Sequence, residues 1–389
     1  MRIGFFHDAA GTRHAGGIAV YCQRMAASLA RDHDVVLVTE RGTPSSVLTD
    51  AAVELVQTPT FSDRVPATLE RVPWVGRQEY AKVAMIRWAR DTGLLDWLDD
   101  RVDVLVTSQY LDDLLLSNLL DVPTVYGIHS VRQVGVGARL RNRFTETTVE
   151  FANSYDTARR VAESFDTDVE AVIHPGVDPS QFNPRATPVL HSPLPRILFV
   201  GRLVRAKGIF DLVEAVASLP VDASLHVVGT GDEEGVRAAA MDRGLYDRTF
   251  VHGEVPHNRL PGYYVSADVC CLPTSVESFG QVNLEAMACE TPVVTSRLPA
   301  IQEYVREGVD GLLVEPGDTG QLTTALATLL ARPTMRTEMG RRGRDRAGEF
   351  SWDVQAARLA TLCQRVCDGQ TTATSDTRRG NRIETTTDD

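Results

Sequence analysis

The chain has 389 residues, 43% of them hydrophobic, and a formal net charge of −12 at pH 7. This length exceeds the size at which a single hydrophobic core usually stops growing, so we expect two domains of similar size. The excess of negative charge argues against nucleic acid as a partner, because that binding depends on cations that neutralise phosphates.

The N-terminal stretch MRIGFFHD is expected to be a strand and not a signal peptide. No apolar run approaches the roughly 18 residues that a membrane-spanning helix requires, so we expect a cytoplasmic protein. The cysteines have neither CxxC spacing nor paired histidine ligands, and are expected to be reduced core residues instead of zinc ligands. They are Cys22, Cys270, Cys271, Cys289, Cys363 and Cys367.

Short apolar runs alternate with helical stretches along the first half of the chain. The first run is followed by a polar loop and an amphipathic stretch from Ile18 to Arg31. Such alternation predicts a doubly wound parallel sheet. The predicted strands of this half are MRIGFFHD, HDVVLVTE, AVELVQ, VDVLVTS, PTVYGIHS and EAVIHPG.

A proline-rich stretch from His174 to Pro195 interrupts this alternation and is expected to link two domains. A second series of strands follows: PRILFVGRL, ASLHVVGTG, RTFVHGEV, ADVCCLPTS, TPVVTS and DGLLVEPG. We therefore expect an α/β protein with two Rossmann-like, doubly wound parallel-sheet domains facing each other across a cleft, with ligands at the carboxyl ends of the strands. The expected domains are residues 1–185 and 186–350, followed by a helix over 351–369 that could cross back to the N-terminal domain and a disordered tail over 370–389.

The segment GRLVRAKG follows the apolar strand RILFV, at the edge where such sheets bind ligands. It contains Lys207, one of only two lysines in the chain; the other is Lys82. An arginine can form a bidentate contact with phosphate oxygens and a lysine supplies a compact point charge, so Arg202 and Lys207 together suit a diphosphate. The alternative interpretation is a solvated basic turn.

The segment PTSVESFGQVNLEAMACETPVV, residues 273–294, combines two glutamates with the start of a helix. The helix is predicted to begin at Phe279 and Gly280, whose main-chain N–H groups favour a phosphate. Glu277 in the preceding loop can accept hydrogen bonds from sugar hydroxyls, and Glu285 can accept them from a ribose. In the alternative interpretation, Glu277 is a partner of the helix dipole and Glu285 is a surface residue.

These two segments resemble the donor site of retaining nucleotide-sugar glycosyltransferases with the GT-B fold, and family 4 in particular. The resemblance includes NSYDTARR, HPGVDPSQFNP, VVGTGDEE and DGLLVEPGD, and so covers most of residues 1–370. One departure is Glu290, where the family usually has glycine, and we expect a local change of the turn there. The residues that carry the resemblance most strongly are Gly201-Arg202-Leu203 with Lys207-Gly208, the two glutamates Glu277 and Glu285 with seven residues between them, and Thr291-Pro292-Val293-Val294.

The resemblance implies a glycosyltransferase, in particular a hexosyltransferase, whose donor is a nucleotide diphosphate sugar. It implies that Arg202 and Lys207 act on the diphosphate and that Glu285 binds the ribose. Glu277, with a catalytic role, and Phe279 and Gly280 would contact the transferred sugar and the phosphate. The remaining positions of the implied donor site, at the strand ends and near the base, are Gly201, Gly229, Gly231, Glu254 and Val255.

In the N-terminal half, Gly16 and Gly17 precede a predicted helix and resemble the family's paired glycines, whose amides approach the donor phosphate or the acceptor. The alternatives are a flexible loop or a dinucleotide fingerprint, and the absence of GxGxxG there argues against the fingerprint. His129 closes the strand PTVYGIH and resembles the family's histidine near the donor sugar, which implies a catalytic role. The other histidines are mostly expected to be structural or exposed.

The resemblance to this family implies retention, in which the new bond forms on the face from which the leaving group departs. In one version, the departing diphosphate takes the acceptor proton while Arg202 and Lys207 stabilise its growing charge. We therefore expect no metal and no cofactor besides the donor, and no Asp-x-Asp cluster stands at a predicted strand end.

The acceptor is expected to be a glycan, a lipid-linked sugar or a glycolipid. The basic, partly aromatic stretches RVPWVGRQEYAKVAMIRWAR and HSVRQVGVGARLRNRF could contact an anionic acceptor or the inner face of the cell membrane. In the alternative, the tryptophans Trp74, Trp88 and Trp97 pack in the N-terminal core and the arginines face solvent.

Two other functions fit the same motifs. A nucleotide-sugar epimerase on this fold would convert the donor without an acceptor, and a sugar-nucleotide sensor would bind the donor without turnover. An NAD-linked oxidoreductase is disfavoured because no glycine fingerprint follows a strand.

Overall fold

Two parallel β-sheets form the framework of the protein, whose computed structural model describes residues 1–10, 16–61, 77–108, 115–131, 149–165 and 168–370. Each sheet belongs to its own compact unit. Unit 1 comprises Met1–Asn153, Thr157–Ile173 and the chain from Ala356 onwards, and unit 2 comprises Ser154–Asp156 and His174–Gln355. The prediction of two parallel-sheet α/β domains is confirmed.

The sheet of unit 1 has seven strands in the order β3-β2-β1-β4-β5-β6-β7, and all of its strand pairs are parallel. Its strands are β1 (Arg2–Phe6), β2 (Asp34–Glu40), β3 (Val53–Thr58), β4 (Val104–Thr107), β5 (Thr124–Ile128), β6 (Val149–Ala152) and β7 (Ala171–Val172). The α-helices described up to this point of the chain are Gly16–Leu29, Ser46–Thr49, Arg77–Asp91, Leu94–Arg101 and Tyr155–Phe165.

The sheet of unit 2 has six parallel strands in the order β10-β9-β8-β11-β12-β13. Its strands are β8 (Arg196–Val200), β9 (Ser224–Val228), β10 (Thr249–Gly253), β11 (Val269–Leu272), β12 (Val293–Ser296) and β13 (Gly311–Val314). The α-helices of this part of the chain are Ile209–Ala217, Glu233–Asp242, Leu260–Ser266, Gln281–Ala288, Pro299–Gln302, Thr319–Ala331, Pro333–Gly348 and Trp352–Cys367.

Alternate residues of the unit 2 strands enter two hydrophobic clusters. In β8, Ile197 and Phe199 join one cluster, whereas Leu198 and Val200 join the other. Because successive side chains of a strand point to opposite faces, a parallel sheet covered on both sides needs apolar residues at every position. This burial explains why the central strands of unit 2, such as β8 and β11, are nearly continuous apolar runs.

Two elements of the structure were not predicted. They are the short strand β6 and the helix Pro333–Gly348. The stretch from His174 to Pro195 contains no helix or strand, and its Phe182 is buried in the core of unit 2. Residues 371–389, nearly all of the tail that the sequence suggests to be disordered, lie outside the described residues.

The side chains of Trp88 and Trp97 are partly buried and pack against a hydrophobic cluster of unit 1. This packing agrees with the core interpretation of these two tryptophans, whereas Trp74 lies outside the described residues. Within the described ranges, no helix has the length and apolar character needed to cross a bilayer. The cysteines are all free, and they are buried except for Cys367, which is exposed and so differs from the expected core residue.

Candidate functional site

Most residues of the implied donor site lie in unit 2, in the loops that follow four neighbouring strands. These strands stand in the order β10-β9-β8-β11, so their carboxyl ends are adjacent along one edge of the sheet. The strand order reverses between β8 and β11, and open α/β sheets bind ligands at such a reversal. The site residues are Gly201, Arg202 and Lys207 after β8, Gly229 and Gly231 after β9, Val255 after β10, and Glu277, Phe279, Gly280 and Glu285 after β11.

An ion pair joins the two loops at this reversal. Lys207 Nζ lies 2.5 Å from Glu277 Oε2, and the two side chains are 19% and 14% exposed. The main chain joins the same loops, since Ala206 O accepts hydrogen bonds from Ser275 N at 2.9 Å and from Thr274 Oγ1 at 3.0 Å. The site therefore holds an ammonium and a carboxylate side by side, as a ligand with both phosphates and hydroxyls requires.

Arg202 begins the loop after β8, and its side chain is exposed. Over the part of the chain that the structure describes, its guanidinium has no carboxylate partner. An exposed guanidinium of this kind keeps its full fork of donors for phosphate oxygens.

The helix Gln281–Ala288 begins after Gly280, whose φ is +91°. Gly280 O accepts a hydrogen bond from Tyr304 OH at 2.9 Å, which fixes the start of this helix. The ring of Phe279 is 2% exposed and packs on Tyr304 with 4.8 Å between ring centroids. The side chain of Phe279 is therefore a core residue, and only its main chain is suited to the expected ligand contact.

Glu285 lies in the second turn of this helix, and its side chain is 9% exposed. Oε2 accepts a hydrogen bond from Tyr264 OH at 2.8 Å, and Oε1 lies 2.7 Å from His257 Nε2. Burial, followed by the charge of Glu285, raises the pKa of Tyr264 well above its usual value, so the phenol stays protonated and donates. Glu285 is thus a buried and supported carboxylate, and the surface-residue interpretation is wrong.

The glycines after β9 allow two strand ends to approach closely. A Cβ atom at Gly229, where φ is +136°, would collide with Gly201 O, and one at Gly231 would lie 2.7 Å from Leu203 O. Glycine is the residue that combines these positive φ angles with so little space. Val255, after β10, is half-buried and packs against the core of unit 2.

His129 follows β5 in unit 1 and is 8% exposed. Its ring meets the edge of Tyr21 with 4.5 Å between centroids. Burial, assisted by His7, lowers the pKa of His129 to about 3, so the ring is neutral at neutral pH. Its Nε2 is buried without a hydrogen-bond partner among the described residues, which makes this nitrogen a candidate for a ligand contact.

His7 was not singled out from the sequence, although it closes β1 as His129 closes β5. Its Nδ1 accepts hydrogen bonds from the main-chain N–H groups of Ala9 and Ala10, both at 3.1 Å. Burial, followed by the charge of Lys82, lowers the pKa of His7 to about 3. Lys82, the second lysine of the chain, is only 6% exposed. Unit 1 therefore combines two neutral histidines with a buried cation.

Gly16 and Gly17 are the first two residues of the helix Gly16–Leu29 instead of preceding it. A Cβ atom at Gly17 would meet nothing within 4 Å, so no protein atom crowds this helix start. Within the described ranges, no three histidine, cysteine, aspartate or glutamate side chains are grouped so that they could hold a metal ion.

Glu290, in the turn after the helix Gln281–Ala288, has φ +61°. This left-handed conformation is the one that glycine adopts at the ends of helices. Glu290 thus has a glycine-like backbone, and the expected local change of the turn stays a prediction.

Two family descriptions match adjoining parts of the chain. "Glycosyltransferase Family 4" matches residues 15–181, and "Glycosyl transferases group 1" matches residues 184–346. Among the relatives, the D-inositol 3-phosphate glycosyltransferase of Xylanimonas cellulosilytica is 30% identical over 90% of this chain and 92% of that protein. The alpha-maltose-1-phosphate synthase of Mycobacterium tuberculosis is 29% identical over 65% of this chain and 76% of that protein.

Solved structures share the fold. Sucrose-phosphate synthase from Thermosynechococcus elongatus has a TM-score of 0.72 at 22% identity, over 95% of this chain and 99% of that one. Anabaena HepE, solved in complex with UDP and glucose, has a TM-score of 0.72 at 17% identity, over 93% of this chain and 99% of that one.

Proposed function

Because the chain belongs to glycosyltransferase family 4, we propose that it transfers a sugar from a nucleotide diphosphate sugar to a hydroxyl acceptor, with retention of the anomeric configuration and without a metal. The observation that carries this proposal is the pairing of Lys207 with Glu277 where the strand order reverses. The exposed Arg202 and the start of the helix Gln281–Ala288 belong to loops at the same edge. The Lys207 ammonium, the Arg202 guanidinium and the N-terminal end of this helix are positive and suit a diphosphate. The Glu277 carboxylate suits the hydroxyls of a sugar.

The proposed chemistry breaks the bond between the anomeric carbon and the oxygen of the departing diphosphate. The acceptor oxygen forms its bond to the same face of that carbon, and the acceptor proton moves to an oxygen of the diphosphate. Lys207 and Arg202 lower the barrier because they interact more strongly with the diphosphate as its charge grows. Glu277 holds Lys207 in place and accepts hydrogen bonds from hydroxyls of the transferred sugar.

We further propose that the acceptor carries a phosphate, in contrast to the glycan or lipid-linked glycan that the sequence suggested. Three of the similar proteins have names that include a phosphorylated sugar or polyol: inositol 3-phosphate, maltose-1-phosphate and sucrose-phosphate.

The test is a transfer assay with UDP-, GDP- and ADP-sugars against an inositol phosphate, a hexose phosphate and a lipid-linked glycan, with the product anomer assigned by NMR. We expect transfer with retention, undiminished in excess EDTA. Inversion, or loss of activity in EDTA, would contradict the corresponding part of the proposal. Conversion of the donor without an acceptor would indicate an epimerase, and binding without turnover would indicate a sensor.

Lys207→Ala tests the role of the ammonium. We expect turnover to fall about 10²- to 10³-fold, the usual loss when a donor to a developing negative charge is removed. The matched control is Arg237→Ala, which removes an exposed cation paired with Glu233 on a helix of the same unit. Unchanged turnover in a folded Lys207→Ala enzyme would contradict the assigned role.

A further inference from the structure

The one-turn 3-10 helix His257–Arg259 carries a histidine that lies outside the segments on which the family resemblance was based. We propose that His257 is a positioning residue: it holds the Glu285 carboxylate in the orientation that binds the ribose hydroxyls, and so makes the site prefer ribonucleotides to 2′-deoxyribonucleotides. This inference rests on the proposed function, in which Glu285 binds the ribose of the donor.

Two side chains hold the carboxylate of Glu285, one at each oxygen. His257 Nε2 lies 2.7 Å from Oε1, and Tyr264 OH donates to Oε2 at 2.8 Å. A carboxylate has about four lone-pair sites for hydrogen bonds, so two sites are left for a ligand. Neighbouring ribose hydroxyls are a pair of donors that can use both.

The two supports differ in their exposure. Tyr264 is fully buried, whereas the side chain of His257 is 39% exposed. His257 is nevertheless held in place, because its ring meets that of Phe182 with 5.1 Å between centroids and its carbonyl accepts a hydrogen bond from Gln181 Nε2 at 3.3 Å. The histidine is thus a fixed donor on the more open side of the carboxylate.

A single hydrogen bond restrains rotation of the carboxylate about its Cγ–Cδ bond only within the angular tolerance of that hydrogen bond. A second bond, at the other oxygen, narrows the range of orientations further. The ligand then meets a carboxylate whose orientation is already set, and binding loses less free energy to ordering that side chain. Because Lys207 and Glu277 form their own ion pair, we expect His257 to act on nucleotide affinity and not on turnover.

The experiment measures the dissociation constants of UDP, GDP and ADP and of their 2′-deoxy counterparts by calorimetry, on the full chain. With the nucleotide that binds best, we expect the wild type to prefer the ribonucleotide by about tenfold, the worth of one hydrogen bond to a charged group. His257→Phe keeps an aromatic ring against Phe182 but removes the donor, and should reduce the preference below about threefold. His257→Gln, whose amide can reach the same oxygen, should restore it.

Two further measurements separate positioning from a general structural role. In the transfer assay, His257→Phe should raise the KM for the donor and leave kcat within about twofold of the wild type. His191→Phe, a change at an exposed histidine of the same unit, should leave the preference unchanged. If His257→Phe folds poorly by thermal melting, His257→Asn takes its place, because the shorter amide does not reach Glu285.

A preference that persists in a folded His257→Phe protein would overturn the inference while leaving the transferase proposal intact. An equal loss of affinity for both nucleotides would also overturn it, since the effect would not involve the 2′-hydroxyl. If the wild type binds none of the nucleoside diphosphates, the proposed function itself fails.

Discussion

At Gly208, the loop after β8 passes close to the loop after β11. The φ of this glycine is +74°, and a Cβ atom there would overlap Pro273 O, at the start of the loop that leads from β11 to Glu277. It also directly follows Lys207, so any shift at Gly208 moves the ammonium relative to its carboxylate partner. Close packing at this glycine therefore helps to set the geometry of the ion pair.

Gly208→Ala should destabilise the protein and lower turnover. The left-handed backbone alone costs a non-glycine residue about 1 kcal/mol or more, and the overlap with Pro273 adds to that cost. Gly244→Ala is the matched control, because Gly244 has φ +69° but nothing within 4 Å of the added Cβ. Thermal melts and transfer rates of both variants check the prediction. Equal losses of stability, with turnover unchanged in both, would contradict it.

At the scale of residues, the sequence was sufficient to identify site residues that lie in short motifs with a fixed spacing. Lys207, Glu277 and Glu285 stand in short segments with recognisable order, and the structure brings the first two together. His257 was missed because its role depends on Glu285, which lies 28 residues away and meets it only after the strands have paired. Phe279 was identified from the motif, but the motif did not show that its ring is buried in the core.

The turn after the helix Gln281–Ala288 illustrates how one element constrains another. Gly340 of the helix Pro333–Gly348 lies so close to Glu290 that a Cβ atom added at Gly340 would overlap Glu290 O. Glu290 is held in the left-handed region, and its Oε1 lies 3.8 Å from Arg344 Nε, a distance at which a surface ion pair contributes little. The packing of two helices therefore imposes a glycine-like conformation on a glutamate.

Glu290→Gly should raise the free energy of unfolding by up to about 1 kcal/mol, because relief of the left-handed backbone outweighs the greater freedom of glycine in the unfolded chain. Glu290→Val should lower it, since a β-branched residue suits this conformation least. Chemical denaturation of the three proteins gives the order, and transfer activity should not change. A valine variant as stable as the glycine variant would show that the backbone is not strained.

At the scale of elements, all six strands of unit 2 were predicted, and for the central strands the reason is that burial on both faces produces apolar runs that can be recognised in the sequence. The strand β6 was missed because Glu150 interrupts its short apolar run and polar residues flank it on both sides, TETT before it and NS after it. The helix Pro333–Gly348 was missed because three glycines and many arginines weaken its pattern. Two of those glycines, Gly340 and Gly343, are buried where the helix packs, so tertiary contacts favour a helix that its own sequence disfavours.

At the scale of the whole molecule, the alternation of strands and helices predicted two parallel sheets but not the order of their strands. In both sheets the first strand lies next to the fourth. The second and third strands lie on one side of the first strand, and the later strands lie on the other side. This order depends on how each connection packs, and not on any one strand. It is nevertheless what places the loops after β8 and β11 side by side and so assembles the donor site.

Both units contain histidines that the fold keeps neutral. In unit 1, burial lowers the pKa of His7 and of His129 to about 3. In unit 2, burial lowers the pKa of His226 to about 4, with His252 and Arg196 adding to the effect, and burial also lowers the pKa of His252. His226 Nδ1 and His252 Nε2 lie 3.2 Å apart, a contact that two charged rings would not keep.

These shifts predict that the protein loses stability in mild acid. A histidine in the unfolded chain takes up a proton near pH 6.5, whereas the folded protein resists protonation until about pH 4 or below. Between those values the unfolded state binds more protons, so the free energy of unfolding falls as the pH falls, by up to about 1.4 kcal/mol per pH unit for each fully buried histidine. Stability is therefore complete above pH 6.5 and declines below it.

Thermal melts between pH 7.5 and 4.5 measure this slope, and His7→Asn tests its origin. The asparagine oxygen can accept from Ala9 and Ala10 in place of Nδ1 but does not titrate, so the variant should lose stability less steeply below pH 6.5 than the wild type. His191→Asn, at an exposed histidine, should leave the slope unchanged. Parallel curves for the wild type and His7→Asn would mean that His7 is not kept neutral by the fold, and the loss in acid would have to come from other groups.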